Sequence, residues 1–165
     1  TIPATHPTKG AFVTRGSSRN SYAAYTEDSG EYKKNMDRLV KKFETAAELV
    51  PKPHFYQETN SSDYGVIFFG TSRFAAEEAS HLLSDEGTKL DEMRVKSFPF
   101  GKEFVDFVNS HKKIFVIEQN RDSQFKSMMM IELGINADKL ISILNYDGMP
   151  ITADQILNQI KANLT

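Results

Sequence analysis

From Tyr64 onward, four short apolar runs punctuate the chain: Gly65-Val66-Ile67-Phe68-Phe69, Met93 to Phe98, Lys113-Ile114-Phe115-Val116-Ile117-Glu118, and Leu140 to Leu144. Between them apolar residues fall at helical spacing: Ala75, Ala79, Leu82 and Leu83 before Gly87, then Phe104, Val105, Phe107 and Val108 after the break at Pro99. Phe125, Met128, Met129 and Leu133 form the third set. Strand-length runs alternating with amphipathic helices are the pattern of stacked βα units around a largely parallel sheet. A last helix follows: Thr152 and Gln155 form a capping box, Ile151 and Ile156 occupy hydrophobic-staple positions, and Ile156, Leu157, Ile160 and Leu164 give its buried face.

Ahead of this region, Tyr32, Met36, Leu39, Val40, Phe43, Ala46, Ala47 and Val50 lie on one helical face between Glu31 and Val50. Asp28 with Glu31 resembles a capping pair, Glu27 adds charge favourable to the helix dipole, and Pro51 and Pro53 stop the helix. Residues 54–63 read as a polar connection with a short edge strand at His54-Phe55-Tyr56. Residues 1–29 carry Pro3, Pro7, Gly10 and Gly16 among many Ser, Thr and Asn residues, with only Ala11-Phe12-Val13 suggesting a strand. So long a segment without a core face is either disordered or laid across a neighbouring domain, and Phe12, Tyr22 and Tyr25 favour the second.

A length of 165 residues suits one ordinary domain. With 39% hydrophobic residues, 25% charged residues and a net charge of -2, the chain has no field suited to nucleic acid or an anionic membrane surface. No apolar run approaches the ~20 residues of a membrane span, and the opening Thr1-Ile2-Pro3-Ala4 is unlike a secretion signal, so the chain reads as cytoplasmic. The start at Thr1 is compatible with an excised or processed piece. Cysteine is absent, which removes disulfides, thiolate nucleophiles and cysteine ligands for an iron–sulfur cluster.

Few patterns carry chemistry. Gly70-Thr71-Ser72 stands where a strand hands over to a helix, a place whose N–H groups can hold a phosphate, but it has neither a dinucleotide nor a P-loop glycine pattern and reads as a helix cap. Glu118-Gln119-Asn120-Arg121-Asp122-Ser123-Gln124 lies past the carboxyl end of an apolar strand, the edge where open α/β sheets place ligands. Glu118 there is placed to act as an acid or base, yet no His or second carboxylate accompanies it. The alternative has Glu118 and Asn120 bonding nearby backbone, Asp122 or Ser123 capping the next helix, and the loop docking a neighbour. His6, His54, His81 and His111 have no metal-ligand spacing and read as surface or lightly packed residues. Met128-Met129-Met130 reads as core filler. In Thr14-Arg15-Gly16-Ser17-Ser18-Arg19-Asn20-Ser21, two guanidinium groups on a Gly/Ser loop can grip a carboxylate or phosphate bidentately, or form an interdomain salt-bridge loop.

Thr5-His6-Pro7-Thr8-Lys9-Gly10-Ala11-Phe12, followed by Thr14-Arg15-Gly16-Ser17, Asn20, Tyr22 and Thr26-Glu27-Asp28, resembles the entry to the C-terminal domain of 2-oxoacid:ferredoxin oxidoreductase alpha subunits of the 2-oxoglutarate type. Lys41-Lys42-Phe43-Glu44-Thr45-Ala46, Gly70-Thr71-Ser72, Pro99-Phe100, the Glu118–Gln124 run and Asp147-Gly148-Met149-Pro150-Ile151-Thr152 extend the resemblance over nearly the whole chain. It implies an α/β three-layer sandwich, a five-stranded, mostly parallel mixed sheet of the transketolase C-terminal kind. Residues 1–30 would lie on a neighbouring catalytic domain and residues 31–165 would form the domain itself.

Members of that family decarboxylate a 2-oxoacid on thiamine diphosphate, pass electrons through iron–sulfur chemistry to ferredoxin, and transfer the acyl group to coenzyme A. The chain has no Gly-Asp-Gly motif for diphosphate and magnesium, so the resemblance places thiamine diphosphate, magnesium and the iron–sulfur cluster on other domains or the beta subunit, and none on this chain. No catalytic residue is assigned, and the isolated chain is expected to be inactive. Partners would be the beta subunit and remaining alpha-subunit domains, with ferredoxin and coenzyme A engaged through the complex. Arg15, Ser18, Arg19 and Asn20 are the residues expected to line the approach to substrate or coenzyme A. Ser21 stands where relatives commonly carry an acid, leaving 2-oxoglutarate, pyruvate and branched-chain acids all open. The alternative assignment is an interaction domain of a transketolase or a 2-oxoacid dehydrogenase.

Overall fold

A computed structural model of the chain describes residues 5–10, 18–56 and 61–164. The chain divides into two units, one ending at Ala46 and the other beginning at Ala47. In the first, α1 begins at Ser29 and runs to Leu49, its last residues lying past that boundary. Asp28 caps it in one direction only. Its Oδ1 accepts the Glu31 N–H at 2.8 Å, whereas the Glu31 carboxylate takes Lys34 at 2.8 Å and the Asp28 N–H donates to Thr26 Oγ1. The expected capping pair therefore forms through Asp28 alone.

The second unit is a five-stranded sheet in the order β1-β3-β2-β4-β5. Its strands are β1 His54–Phe55, β2 Tyr64–Phe69, β3 Asp91–Val95, β4 Lys113–Glu118 and β5 Leu140–Leu144. All neighbours are parallel except β1 and β3, which pair antiparallel through His54 with Arg94 and Phe55 with Met93. Helices α2 Arg73–Asp85, α3 Lys102–Ser110, α4 Gln124–Leu133 and α5 Ala153–Lys161 complete the βα pattern. Side chains alternate across a strand, so the two central strands supply both cores. Val66, Phe68, Phe115 and Ile117 pack with Ala76, Ala79 and Leu83 of α2 and Ile156 and Ile160 of α5. Ile67, Ile114 and Val116 pack with Phe104, Phe107 and Val108 of α3 and Met129 of α4. The capping box of α5 forms in both directions, and Ile151 and Ile156 are both buried in the first core.

The third strand differs from the expected Met93–Phe98. It starts two residues earlier, with Asp91 beside Gly65 and Glu92 beside Val66, and it ends at Val95. Charged residues at a strand start read as loop, and here both are buried because the fold gives each a local environment. Asp91 is held by a clasp: Ser61 donates through its N–H (2.9 Å) and its hydroxyl, and His111 Nε2 lies 2.9 Å away. His111 Nδ1 donates to the Phe107 carbonyl at 2.6 Å. Burial alone would raise Asp91, but the Ser61 and His111 bonds outweigh it and hold the carboxyl below its ordinary value. His111 is thus a fully buried member of the clasp, contrary to the surface or lightly packed role expected for the histidines.

Glu92 points to the opposite face, where the Arg73–Glu77 ion pair (2.5 Å) and Ser80 of α2 meet Tyr56 and Arg94. Among the described residues its Oε2 and Arg94 Nε are buried without hydrogen-bond partners. Burial and the Glu77 charge push Glu92 up to about 7, a shift that the Ser80 hydroxyl partly offsets. The folded chain therefore keeps a proton that the unfolded chain releases near 4.5. The stability this proton confers is fully present below that value and is lost as pH rises through about 7. We predict that wild type loses about 2 kcal/mol between about pH 5 and pH 8 through this group, and that Glu92→Gln removes the loss. Urea midpoints of both proteins at the two pH values check this; parallel pH profiles would contradict it.

Candidate functional site: a cationic groove at the Ser18–Thr26 loop

Residues 18–26 fold back on themselves through a few backbone bonds. Thr26 N–H donates to the Ser18 carbonyl at 3.4 Å, Asn20 N–H to Ala24 at 3.0 Å, and Ala23 N–H to Asn20 at 3.0 Å. Arg19 and Tyr25 form an antiparallel bridge. Ala23 sits at φ 63, a left-handed conformation an alanine adopts only when its surroundings impose it. Asn20 imposes it: its Oδ1 accepts from both Tyr22 N–H and Ala24 N–H at 3.0 Å. Asparagine suits this position because its short side chain mimics a turn carbonyl.

The loop is tied to α1 by Asn35, whose Nδ2 donates to the Arg19 carbonyl at 2.8 Å. Asn35 Oδ1 in turn accepts from Arg38 Nε and Nη2 at 3.3 and 3.2 Å. Between loop and helix lies an open groove of about 700 Å³, lined by Arg19, Asn20, Glu31, Lys34, Asn35 and Arg38 among others. Three cations face one carboxylate there, so the groove favours anions. Just outside it, Tyr25 donates to Glu27 at 2.6 Å, and this bond holds the phenol above its usual value.

Of the four residues expected to form the site, Arg19 and Asn20 line the groove. Ser18 is not part of its lining, and among the described residues its buried hydroxyl has no hydrogen-bond partner. Arg15 falls outside the described residues. Asn20 acts as the loop's internal brace, and the cations that join Arg19 come from α1. Lys34, Asn35 and Arg38 do not stand out in the sequence, because it is the apolar spacing of that helix that announces it. Their signal was present in the 31-34-35-38 spacing, which puts four polar residues on one face.

The Glu118–Gln124 run takes the structural alternative. Glu118 is fully buried and accepts from Phe125 N–H (2.7 Å), Lys126 N–H (3.0 Å) and Asn120 Nδ2 (2.8 Å). Asn120 Oδ1 accepts from Asp122 and Gln124 N–H. The start of α4 is thus satisfied by Glu118 and Asn120. The expected caps are engaged elsewhere, Asp122 with Arg121 and Ser123 with Ser142. Among the described residues no group of three or more His, Asp or Glu comes together to hold a metal, and no helix is long and apolar enough to cross a membrane.

Comparison with known proteins places the architecture first. The five-stranded mixed sheet flanked by helices is the fold found in transketolase-like and 2-oxoacid:ferredoxin oxidoreductase structures. A 2-oxoglutarate:ferredoxin oxidoreductase from Magnetococcus marinus, solved with 2-oxoglutarate, coenzyme A and succinyl-CoA bound, superposes with a TM-score of 0.78 over 96% of this chain and 28% of its own, at 21% identity. A split-gene transketolase, solved as an inactive β4 tetramer, gives a TM-score of 0.56 over 68% of this chain and 41% of its own, at 16% identity. In sequence, the chain is 26% identical to the alpha subunit of a 2-oxoacid:ferredoxin oxidoreductase from Saccharolobus solfataricus over 89% of its length and 24% of the relative's. It therefore spans about a quarter of that relative. No protein-family model matches the chain.

If Asn20 braces the loop, Asn20→Ala should free the Tyr22 and Ala24 amides, speeding their hydrogen exchange about five-fold, while Asn20→Asp, which keeps the acceptor, should preserve protection. Equal exchange in the alanine variant and wild type would show that the brace is unimportant.

Proposed function

We propose that the chain is the C-terminal domain of a 2-oxoacid:ferredoxin oxidoreductase alpha subunit of the 2-oxoglutarate type, which oxidatively decarboxylates 2-oxoglutarate or a related 2-oxoacid to its acyl-CoA. The observation that carries the reading is the alpha-subunit relative aligned over 89% of the chain, together with a sheet that superposes on the same enzyme class at a TM-score of 0.78. In this reading thiamine diphosphate, magnesium and the iron–sulfur cluster belong to the rest of the complex. A cysteine-free chain offers no thiolate for such a cluster.

The domain's own tasks are to pack and to position. Helix α1 contributes no buried residue, yet Val40 and Phe43 are 61% and 57% exposed on its apolar face, with Tyr32 and Met36 alongside. An amphipathic helix with an uncovered apolar face fits docking on the remaining alpha-subunit domains or the beta subunit. The cationic groove then serves as a shoulder of the ligand approach. Arg19, supported by Ser18 and Asn20, with Arg15 nearby in sequence, offers positive charge to a carboxylate or to coenzyme A phosphates.

In the assembled complex, Arg19→Ala should raise KM for the oxoacid or coenzyme A at least about five-fold with kcat little changed, the pattern of lost binding as opposed to lost transition-state contacts. Steady-state kinetics with each substrate varied in turn provide the check. Unchanged KM values for both, in a complex that assembles less well, would make the loop a purely structural interface.

A further inference from the structure

Two sequence features left over by the function above come together in space. The loop after β2, Gly70-Thr71-Ser72, leads to α2 on one face of the sheet, and the loop after β4 leads to α4 on the other. Neighbouring parallel strands whose connections leave to opposite faces open a crevice at their carboxyl ends, the place where α/β sheets bind ligands. A crevice of about 490 Å³ lies there, within the size range of small-molecule sites.

Three of its polar groups, Gln119, Thr71 and Ser72, are set in one sense. Gln119 Oε1 accepts the Ile151 N–H at 3.3 Å, which fixes the orientation of the amide. Gln119 Nε2 therefore donates, reaching Ser72 Oγ at 3.0 Å and Thr71 Oγ1 at 3.3 Å. Both hydroxyl oxygens are used as acceptors, and among the described residues no acceptor takes either O–H, so each can donate. Two of the acceptors in the same crevice are already engaged by the chain's own N–H groups: Glu118 takes three and Asn120 Oδ1 takes two. Phe69 and Phe125, with ring centroids 5.0 Å apart, and Met128 form the apolar wall. Gly70, at φ 59, has open space where a Cβ would stand, which leaves the mouth clear.

We propose that this crevice binds a small, uncharged, carbonyl-bearing aromatic molecule, its carbonyl accepting from Thr71 and Ser72 and its ring lying on Phe69 and Phe125. An anion is disfavoured because no Lys or Arg lines the crevice and the Glu118 carboxylate is part of its lining. The inference stands apart from the oxidoreductase reading, since it uses neither the groove nor any partner.

Nicotinamide, a neutral aromatic amide, and benzoate, its anionic counterpart, are suitable probes for titration into the full chain followed by amide NMR. The expected result is saturable shifts with nicotinamide in the millimolar range at Thr71, Ser72, Gln119 and Phe125. Met128→Trp, which fills the crevice, should abolish them, and Thr71→Val, a milder change, should weaken binding about five-fold by removing one donor. Should the tryptophan variant unfold, the valine variant decides. Shifts that do not saturate, saturable shifts elsewhere, saturation by benzoate at least as tight, or undiminished binding by Thr71→Val would each overturn the proposal.

Discussion

The two central strands need cover on both faces, and this requirement organises the sheet unit. β2 and β4 present Val66, Phe68, Phe115 and Ile117 to one side and Ile67, Ile114 and Val116 to the other, all buried. At about 25 cal/mol per Å² of apolar surface, leaving either face open would forfeit several kcal/mol per strand. Helices must therefore be distributed to both sides, and the chain meets this by sending α2 and α5 to one face and α3 and α4 to the other. The crevice at the carboxyl ends of β2 and β4 is a geometric result of that division.

Charge placed inside such a sheet needs local compensation, and three carboxylates show three solutions. Glu118 is saturated by N–H donors and thereby fixes the start of α4. Asp91 is clasped by Ser61 and His111. Glu92 has the least compensation, with an unpartnered oxygen and a second carboxylate close by, and its affinity for a proton rises accordingly. Asp91 and Glu92 sit on successive residues of β3 and face opposite sides of the sheet, so the same strand carries both a satisfied and a strained acid.

Much of this was legible in the sequence because local and tertiary preferences agree. The Thr152–Gln155 box and the Ile151–Ile156 staple are written in adjacent residues, and β2, β4 and β5 are apolar enough to stand out. The start of β3 was not legible, because Asp91 and Glu92 are tolerated there only by partners 20 to 30 residues away or on another element. The groove was half legible. Arg19 and Asn20 were visible in a coreless loop, whereas Lys34 and Arg38 become relevant only once Asn35 ties that loop to α1. The role of Asn20 as a brace depends on the left-handed turn at Ala23, which no residue type at that position announces.

The oxidoreductase reading joins a fold shared with that enzyme class, an alpha-subunit relative and a cationic groove on a loop–helix unit. The most direct test is to assemble a full-length alpha subunit containing this segment with its beta partner and follow viologen reduction. The account predicts reduction that requires both a 2-oxoacid and coenzyme A. A well-assembled, cofactor-loaded complex that reduces no dye with any 2-oxoacid would contradict it and turn the assignment toward a transketolase or dehydrogenase component.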